Sequence, residues 1–262
     1  MSGGGGLRPR ILHPFDLPVP EARALQERLR SRVSERDGAR VAAPRLVAGA
    51  DVSFDKHDTL LHAAVVVLDA RRLEPVEIAT ASVDVRFPYV PGYLSFRELP
   101  PLLAAFAKLH ALPDVIVCDG HGRAHPRRFG LACHLGVLLG LPTLGVAKSR
   151  LVGTHREPGP RRGAGTRLLD AGDVIGRVLR TRQGVKPVYV SVGHRVSLAS
   201  ACRLTLALAP RFRLPEPTRH AHREVNRVRR EASATRQLRQ DSVFPFGHRA
   251  EGRGSRKPVR SR

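Results

Sequence analysis

Residues 114–149 read "DVIVCDGHGRAHPRRFGLACHLGVLLGLPTLGVAKS". "DVIVCD" is a short apolar run rich in β-branched residues and followed by glycines, so it reads as a buried strand. "RRFGLACHLGVLLG" stays apolar over several turns and closes on glycine, the pattern of a buried helix. "PTLGVAK" is apolar and short again, a second strand. Strand, helix and strand in that order make a parallel crossover, because a tight turn cannot join parallel strands. Asp119 then ends the first strand and Lys148 the second, on the same edge of the sheet. Ligands of open α/β sheets gather at that carboxyl edge.

Before this unit come three β-rich runs, "RLVAGADVSF" (45–54), "LLHAAVVVLD" (60–69) and "VEIATASVDVRF" (76–87). Their short polar joins predict an antiparallel meander. Residues 18–36 carry Ala22, Leu25, Leu29 and Val33 on one stripe and predict a helix, as does "SFRELPPLLAAFAKLH" (95–110). After the unit, a Gly, Pro and Arg-rich loop spans 150–165. Strands are predicted around Val174–Arg180 and Val188–Val192, a helix over 196–208 and a basic helix over 217–230. The fold class is α/β: a mixed sheet, an antiparallel meander extended by parallel strands, flanked by helices. Residues 1–17 are expected to be a flexible lead-in, 18–230 a single domain and 231–262 a basic, disordered tail.

The 262 residues have a formal net charge of +22 and 42% hydrophobic content. That supports a sizeable core and a polyanionic partner, nucleic acid above all. No apolar stretch is long enough to span a membrane, and no signal region opens the chain. Cys118, Cys133 and Cys202 lack zinc or disulfide spacing, which predicts reduced thiols and a cytoplasmic protein. A monomer is expected.

In so basic a chain, acids inside apolar segments stand out. Asp51 shares one strand face with Gly49 and Ser53. Singly, each acid has an ordinary reading: Asp51 as an ion-pair partner, Asp119 as a turn cap, Glu98 as the last residue of a Ser-x-x-Glu capping box at 95–98. Together they describe an oxygen-rich site for a hard cation, magnesium or manganese, and beside a basic surface that suggests phosphodiester chemistry. Lys148 reads as an exposed strand-end lysine or a phosphate ligand. His125 and His194, in loops, read as acid/base groups, phosphate contacts or neither. In "FPYVPGYLSFRE" (87–98) prolines stiffen a loop carrying Tyr89 and Tyr93. An aromatic there could wedge into a base stack or pack the loop onto the core.

"PYVPGYLSFRE", "DGHGRAHPRRFGLACHLG", "GVAKS", "VSVGHRVSL" and "FRLPEPTRHAH" occur in that order. Together they resemble the endonuclease V family of deoxyinosine-specific nucleases, over about residues 15–230. The resemblance implies a ribonuclease H-like fold and a magnesium-dependent enzyme, with manganese able to substitute. It implies cutting of the second phosphodiester bond 3′ to hypoxanthine, leaving 3′-hydroxyl and 5′-phosphate ends. It assigns metal binding to Asp51 and Asp119 and further active-site roles to Glu98, His125, Lys148 and His194. Tyr89 becomes a wedge, and Gly92, Leu94, Gly120, Gly130 and Leu131 line a pocket for the flipped base. Gly120 and Gly122 would let a nucleotide approach the backbone, and Arg127 and Arg128 would meet flanking phosphates. The implied mechanism is direct attack by a metal-activated water, with Lys148 helping to stabilise the phosphorane charge. Ala199 stands where many relatives carry an acid, which would weaken that part of the site. The expected partner is DNA containing deoxyinosine. Two rivals stand beside it: an inosine-directed ribonuclease, and a catalytically silent basic nucleic-acid-binding protein.

Overall fold

The computed structural model describes residues 6–10, 12–54 and 60–243, with side chains described as far as 236. Among the described residues an eight-stranded sheet in the order β3-β2-β1-β4-β5-β8-β7-β6 is flanked by five helices. The strands are β1 (Leu46–Phe54), β2 (Leu60–Asp69), β3 (Pro75–Asp84), β4 (Val115–Cys118), β5 (Thr143–Ala147), β6 (Gly165–Asp170), β7 (Asp173–Leu179) and β8 (Val188–His194). The helices are α1 (Val19–Arg30), α2 (Leu94–Phe106), α3 (Leu131–Leu139), α4 (Leu198–Ala207) and α5 (Glu216–Val243).

The expected ribonuclease H-like mixed sheet is present. β1, β2 and β3 form the antiparallel meander, and β1, β4 and β5 run parallel. Beyond β5 the sheet turns antiparallel again through β8, β7 and β6. The hairpin strand β6 was not expected. Of its six residues only Leu168 is buried, so it carries no run or alternation that a sequence pattern can register. α3 begins four residues later than its hydrophobic run, because Arg128 takes a left-handed φ of 56° and Gly130 is extended.

The core lies on both sheet faces. Leu99, Leu102, Phe106, Leu135 and Leu138 from α2 and α3 cover Ala48, Val65 and Ile116 on one face. Val47, Val117, Val146 and Val190 meet Ala201, Leu204 and Ala221 of α4 and α5 on the other. The lead-in is bound to this core where it is described. Leu7 and Phe15 pack against it, Arg10 N–H donates to the Leu138 carbonyl at 2.7 Å, and His13 Nε2 lies 2.7 Å from His134 Nε2. The described residues up to 229 fall in one compact unit. The basic helix, expected to stop at 230, continues to Val243. The disorder expected of 244–262 lies outside the described residues. All three cysteines are free and buried.

Candidate active site

Register brings the two strand aspartates together. Ala50 pairs with Cys118 across the parallel β1–β4 ladder, so Asp51 and Asp119 are the next residues along the same edge. Cys118 in turn pairs with Gly145 of β5, and Lys148, one residue past β5, reaches Asp119: its Nζ donates to Oδ2 at 2.5 Å. The carboxyl edge that the sequence predicted for Asp119 and Lys148 is therefore built, and Asp51 joins them on it.

The fourth member comes from α5. Gly49 lets that helix touch the sheet: a Cβ there would lie 1.9 Å from the Pro217 carbonyl oxygen. From that contact, helix and strand run in step. Two strand residues advance about 6.6 Å and four helix residues about 6 Å, so Thr218, His222 and Asn226 follow Gly49, Asp51 and Ser53. His222 Nδ1 sits 2.7 Å from Asp51 Oδ2, and Ser53 Oγ donates to Asn226 Oδ1 at 3.3 Å. Asn226 Nδ2 lies 3.2 Å from His222 Nε2, which leaves the Nδ1 proton for Asp51. Ligand atoms of Asp51, Asp119 and His222 all lie within 4.8 Å of one another. The sequence reading missed His222. Its signal was the polar stripe 218, 222, 226 at helical spacing, which starts in the closing segment already quoted and runs four residues past it.

Glu98 completes the acidic group. The capping-box reading fails, because α2 begins at Leu94 behind Tyr93, and Ser95 is buried with its Oγ 3.0 Å from His134 Nδ1. Burial, and then the charges of Asp51 and Asp119, push the Glu98 carboxyl up to about 8; Arg97 offsets only part of this. Burial and the neighbouring Asp119 also raise Asp51, against its bond to His222. Three crowded carboxyls, with a lysine and an imidazole already drawn to two of them, are a donor set that fits a hard divalent cation.

The tyrosine loop stands on a built support. The Gly92 carbonyl accepts from Arg127 Nη2 at 2.5 Å, His125 Nε2 at 3.0 Å and Gln26 Nε2 at 3.2 Å. Arg127 also stacks on Tyr93 at 4.1 Å and donates to Gln26 Oε1 at 2.6 Å. Tyr93 is buried with Phe87 and Phe96, whereas Tyr89 is 67% exposed at the tip. Of the two tyrosines, only Tyr89 is free to enter a duplex. His125 has both ring nitrogens engaged, accepting from Arg127 N–H at Nδ1, and burial first, then Arg127, lowers it to about 4. It is a neutral strut of this loop. Arg127 and Arg128 are likewise committed, which corrects the phosphate contacts expected of them. Arg128 is buried and bonds Asp170 of the β6–β7 hairpin at 2.7 Å.

The glycines separate by cause. A Cβ on Gly122 would lie 2.0 Å from the Val192 carbonyl oxygen, and one on Gly130 would lie 2.4 Å from that of His121. Both are glycine for packing, so the nucleotide-approach reading of Gly122 is corrected. Gly92 has φ 83° and faces Arg127. At Gly120 a Cβ would make only an ordinary 3.5 Å contact with Leu131, so packing does not require glycine there. Leu131 is buried and Leu94 half exposed at the start of α2.

His194 is not brought to the acids. It pairs with Thr143, at the amino end of β5, so the length of that strand, about 16 Å, separates it from Lys148. Ser34 N–H donates to its Nδ1 at 3.2 Å, and burial followed by Arg195 lowers it to about 4. Ala199 lies on the same far side, exposed in the first turn of α4. There Asp37 accepts from Ser197 N–H at 2.6 Å and from Ser200 Oγ at 2.7 Å. The departure at 199 therefore leaves the Asp51–Asp119 cluster untouched. Among the described residues no helix is long and apolar enough to cross a membrane.

The family model for Endonuclease V matches residues 27–223. An Endonuclease V of Streptomyces avermitilis is 53% identical over 214 residues, covering 82% of this chain and 93% of that protein. A crystal structure of Endonuclease V from the same organism superposes with a TM-score of 0.80 at 50% identity, over 87% and 99% of the two chains. A Ciona intestinalis Endonuclease V, crystallised in complex with a 23mer DNA containing an inosine followed by a ribo-adenosine, gives 0.73 at 30% identity over 82% and 98%. The family model over most of the chain and a relative 53% identical over 82% of it place this chain, with two aspartates, a glutamate, a lysine and a histidine gathered at one sheet edge, in the endonuclease V family.

Proposed function

We propose that this nuclease recognises deoxyinosine in DNA and cuts the second phosphodiester bond on its 3′ side. The observation that carries the reading is the cluster of Asp51, Asp119 and His222 within 4.8 Å, in a chain that also presents an exposed Tyr89 on a braced loop. Asp51 and Asp119, with His222 beside them, would hold magnesium or manganese. Bound there, the ion supplies a water of lowered pKa and charge to offset the phosphate. Lys148, now paired with Asp119, is placed to turn toward the developing phosphorane oxygens. Glu98 can hold a proton near neutral pH, because burial and its acidic neighbours raise it to about 8. His222 in our reading takes the place expected of His194, and His125 braces the wedge loop. Tyr89 fills the gap left by the extruded base, which lies against Gly120 and Leu131. In this reading the protein acts as a monomer. The proposed role is repair of deaminated adenine, in the cytoplasm.

An inosine-directed ribonuclease remains the second reading, favoured by one observation: the DNA bound to the Ciona relative carries a ribo-adenosine after its inosine. Matched inosine-containing DNA and RNA strands, incubated with and without magnesium, test both. Faster magnesium-dependent nicking of DNA is expected. Faster cutting of RNA would favour the rival, and no cutting of either would leave a silent binding protein.

A further inference from the structure

One cavity lies away from the acids. It has a volume of about 440 Å³ and opens between the β2–β3 turn, the 210–212 loop and the first turns of α5. Arg72, Arg211, Arg219, His220 and Arg223 line it, against Glu74 and Glu216. Glu216 is already taken by Arg219 at 2.7 Å, and Arg219 Cζ also sits over the Phe212 ring, 3.3 Å from its centroid. Arg223 leans on His220, Nη2 to Nδ1 at 3.2 Å. Arg72 and Arg211 are exposed and form no ion pair among the described residues. Positive charge therefore exceeds negative in a concave site whose side chains are partly fixed before any ligand arrives.

The position of this cavity relates it to the cutting site. His220 and Arg223 flank His222 on α5, and Glu216 and Arg219 lie one to two helical turns before it, about 5–9 Å along the axis; the β2–β3 turn with Arg72 lies farther off, past the Leu46–Asp69 pair and about 16 Å along β1 from Asp51. Phosphates recur every 3.4 Å of axis along one strand of a duplex, so the cavity spans roughly two to five nucleotides from His222 and Asp51.

We propose that this arginine-lined cavity is a second phosphate site, holding the backbone of the substrate strand a few nucleotides from the cut and fixing the register of the duplex. The proposal rests on the nuclease reading for its substrate, but it can be tested by binding alone. Phosphate contacts of this kind position a strand without reading its sequence. The cavity should therefore act on duplexes with and without inosine.

The test is the salt dependence of binding to a fluorescent 30-base-pair duplex, measured by anisotropy without a divalent metal. Arg72→Ala/Arg211→Ala is compared with wild type and with Arg71→Ala, which removes a charge from the same hairpin outside the cavity. Each lost phosphate contact lowers the slope of log K against log salt by about 0.9. The double variant is expected to lose roughly 0.9–1.8 and Arg71→Ala much less. A second arm uses wild-type protein on duplexes shortened from one side and then the other. The slope should fall stepwise when one flank no longer reaches the cavity. A slope unchanged in both arms, or lowered equally by Arg71→Ala, overturns the proposal. Shifted slopes without any inosine-dependent nicking would keep the cavity and remove the nuclease reading instead.

Discussion

Replacing Glu98 by glutamine should change how stability depends on pH in the metal-free protein. The folded chain holds the Glu98 proton up to about pH 8, whereas an ordinary glutamate releases it near 4.3. Between those values the folded state binds a proton that the unfolded state has lost. Its contribution to stability is fully present below the unfolded pKa and is lost as pH rises through the folded one. At about 1.4 kcal/mol per pKa unit this amounts to roughly 5 kcal/mol, and to about half of that once relaxation and water entry ease the ionised form. Glutamine keeps the shape and has no proton to lose. Urea unfolding of both proteins in a chelator, at pH 5 and pH 8.5, should show the variant gaining about 2–4 kcal/mol on wild type across that range. Magnesium added at pH 8.5 should close most of the gap and release protons on binding. Parallel stability–pH curves would refute the claim that burial, with Asp51 and Asp119 pressing on it, keeps Glu98 protonated, and with it the crowding argument for a cation.

Asp51→Asn and Asp119→Asn should each abolish nicking while leaving the melting temperature within a few degrees of wild type. A variant that still cuts at near wild-type rate, or that is inactive only because it melts, would make these aspartates structural. Tyr89→Ala should reduce cutting of inosine duplexes more than of inosine single strands, since opening a duplex costs a few kcal/mol that the single strand does not require; equal losses would mean the ring is only a contact. Residues 231–262 carry eight arginines and lysines against three acids. Deleting them should weaken binding to any DNA and lower the salt slope by about 0.9 per lost phosphate contact.

Much of this was legible in the chain because the decisive residues sit at strand ends. Asp119 and Lys148 follow short apolar runs whose parallel pairing is forced by the helix between them. Asp51 shares a predictable face with Gly49 and Ser53. His222 was not legible in the same way. Its place depends on α5 touching β1 at Gly49, a contact between segments more than 160 residues apart, and local pattern carries no record of such docking. Arg127 and Arg128 misled for a related reason. Guanidiniums in a glycine-rich loop read as solvated charge, yet one braces the Gly92 carbonyl and the other is buried against Asp170. His194 looked equivalent to His125 as a loop histidine, and only the antiparallel pairing of β8 with β5 sends it to the far edge of the sheet.

A duplex labelled on the strand that carries a single deoxyinosine, incubated with this protein and resolved at one-nucleotide steps, reads the chemistry at the Asp51–Asp119 cluster directly. One product is expected, only with magnesium or manganese present, ending at the second phosphodiester bond 3′ to the inosine, with a 5′-phosphate on the downstream fragment. Cutting that ignores the inosine, persists in a chelator or is absent with either metal would contradict the account.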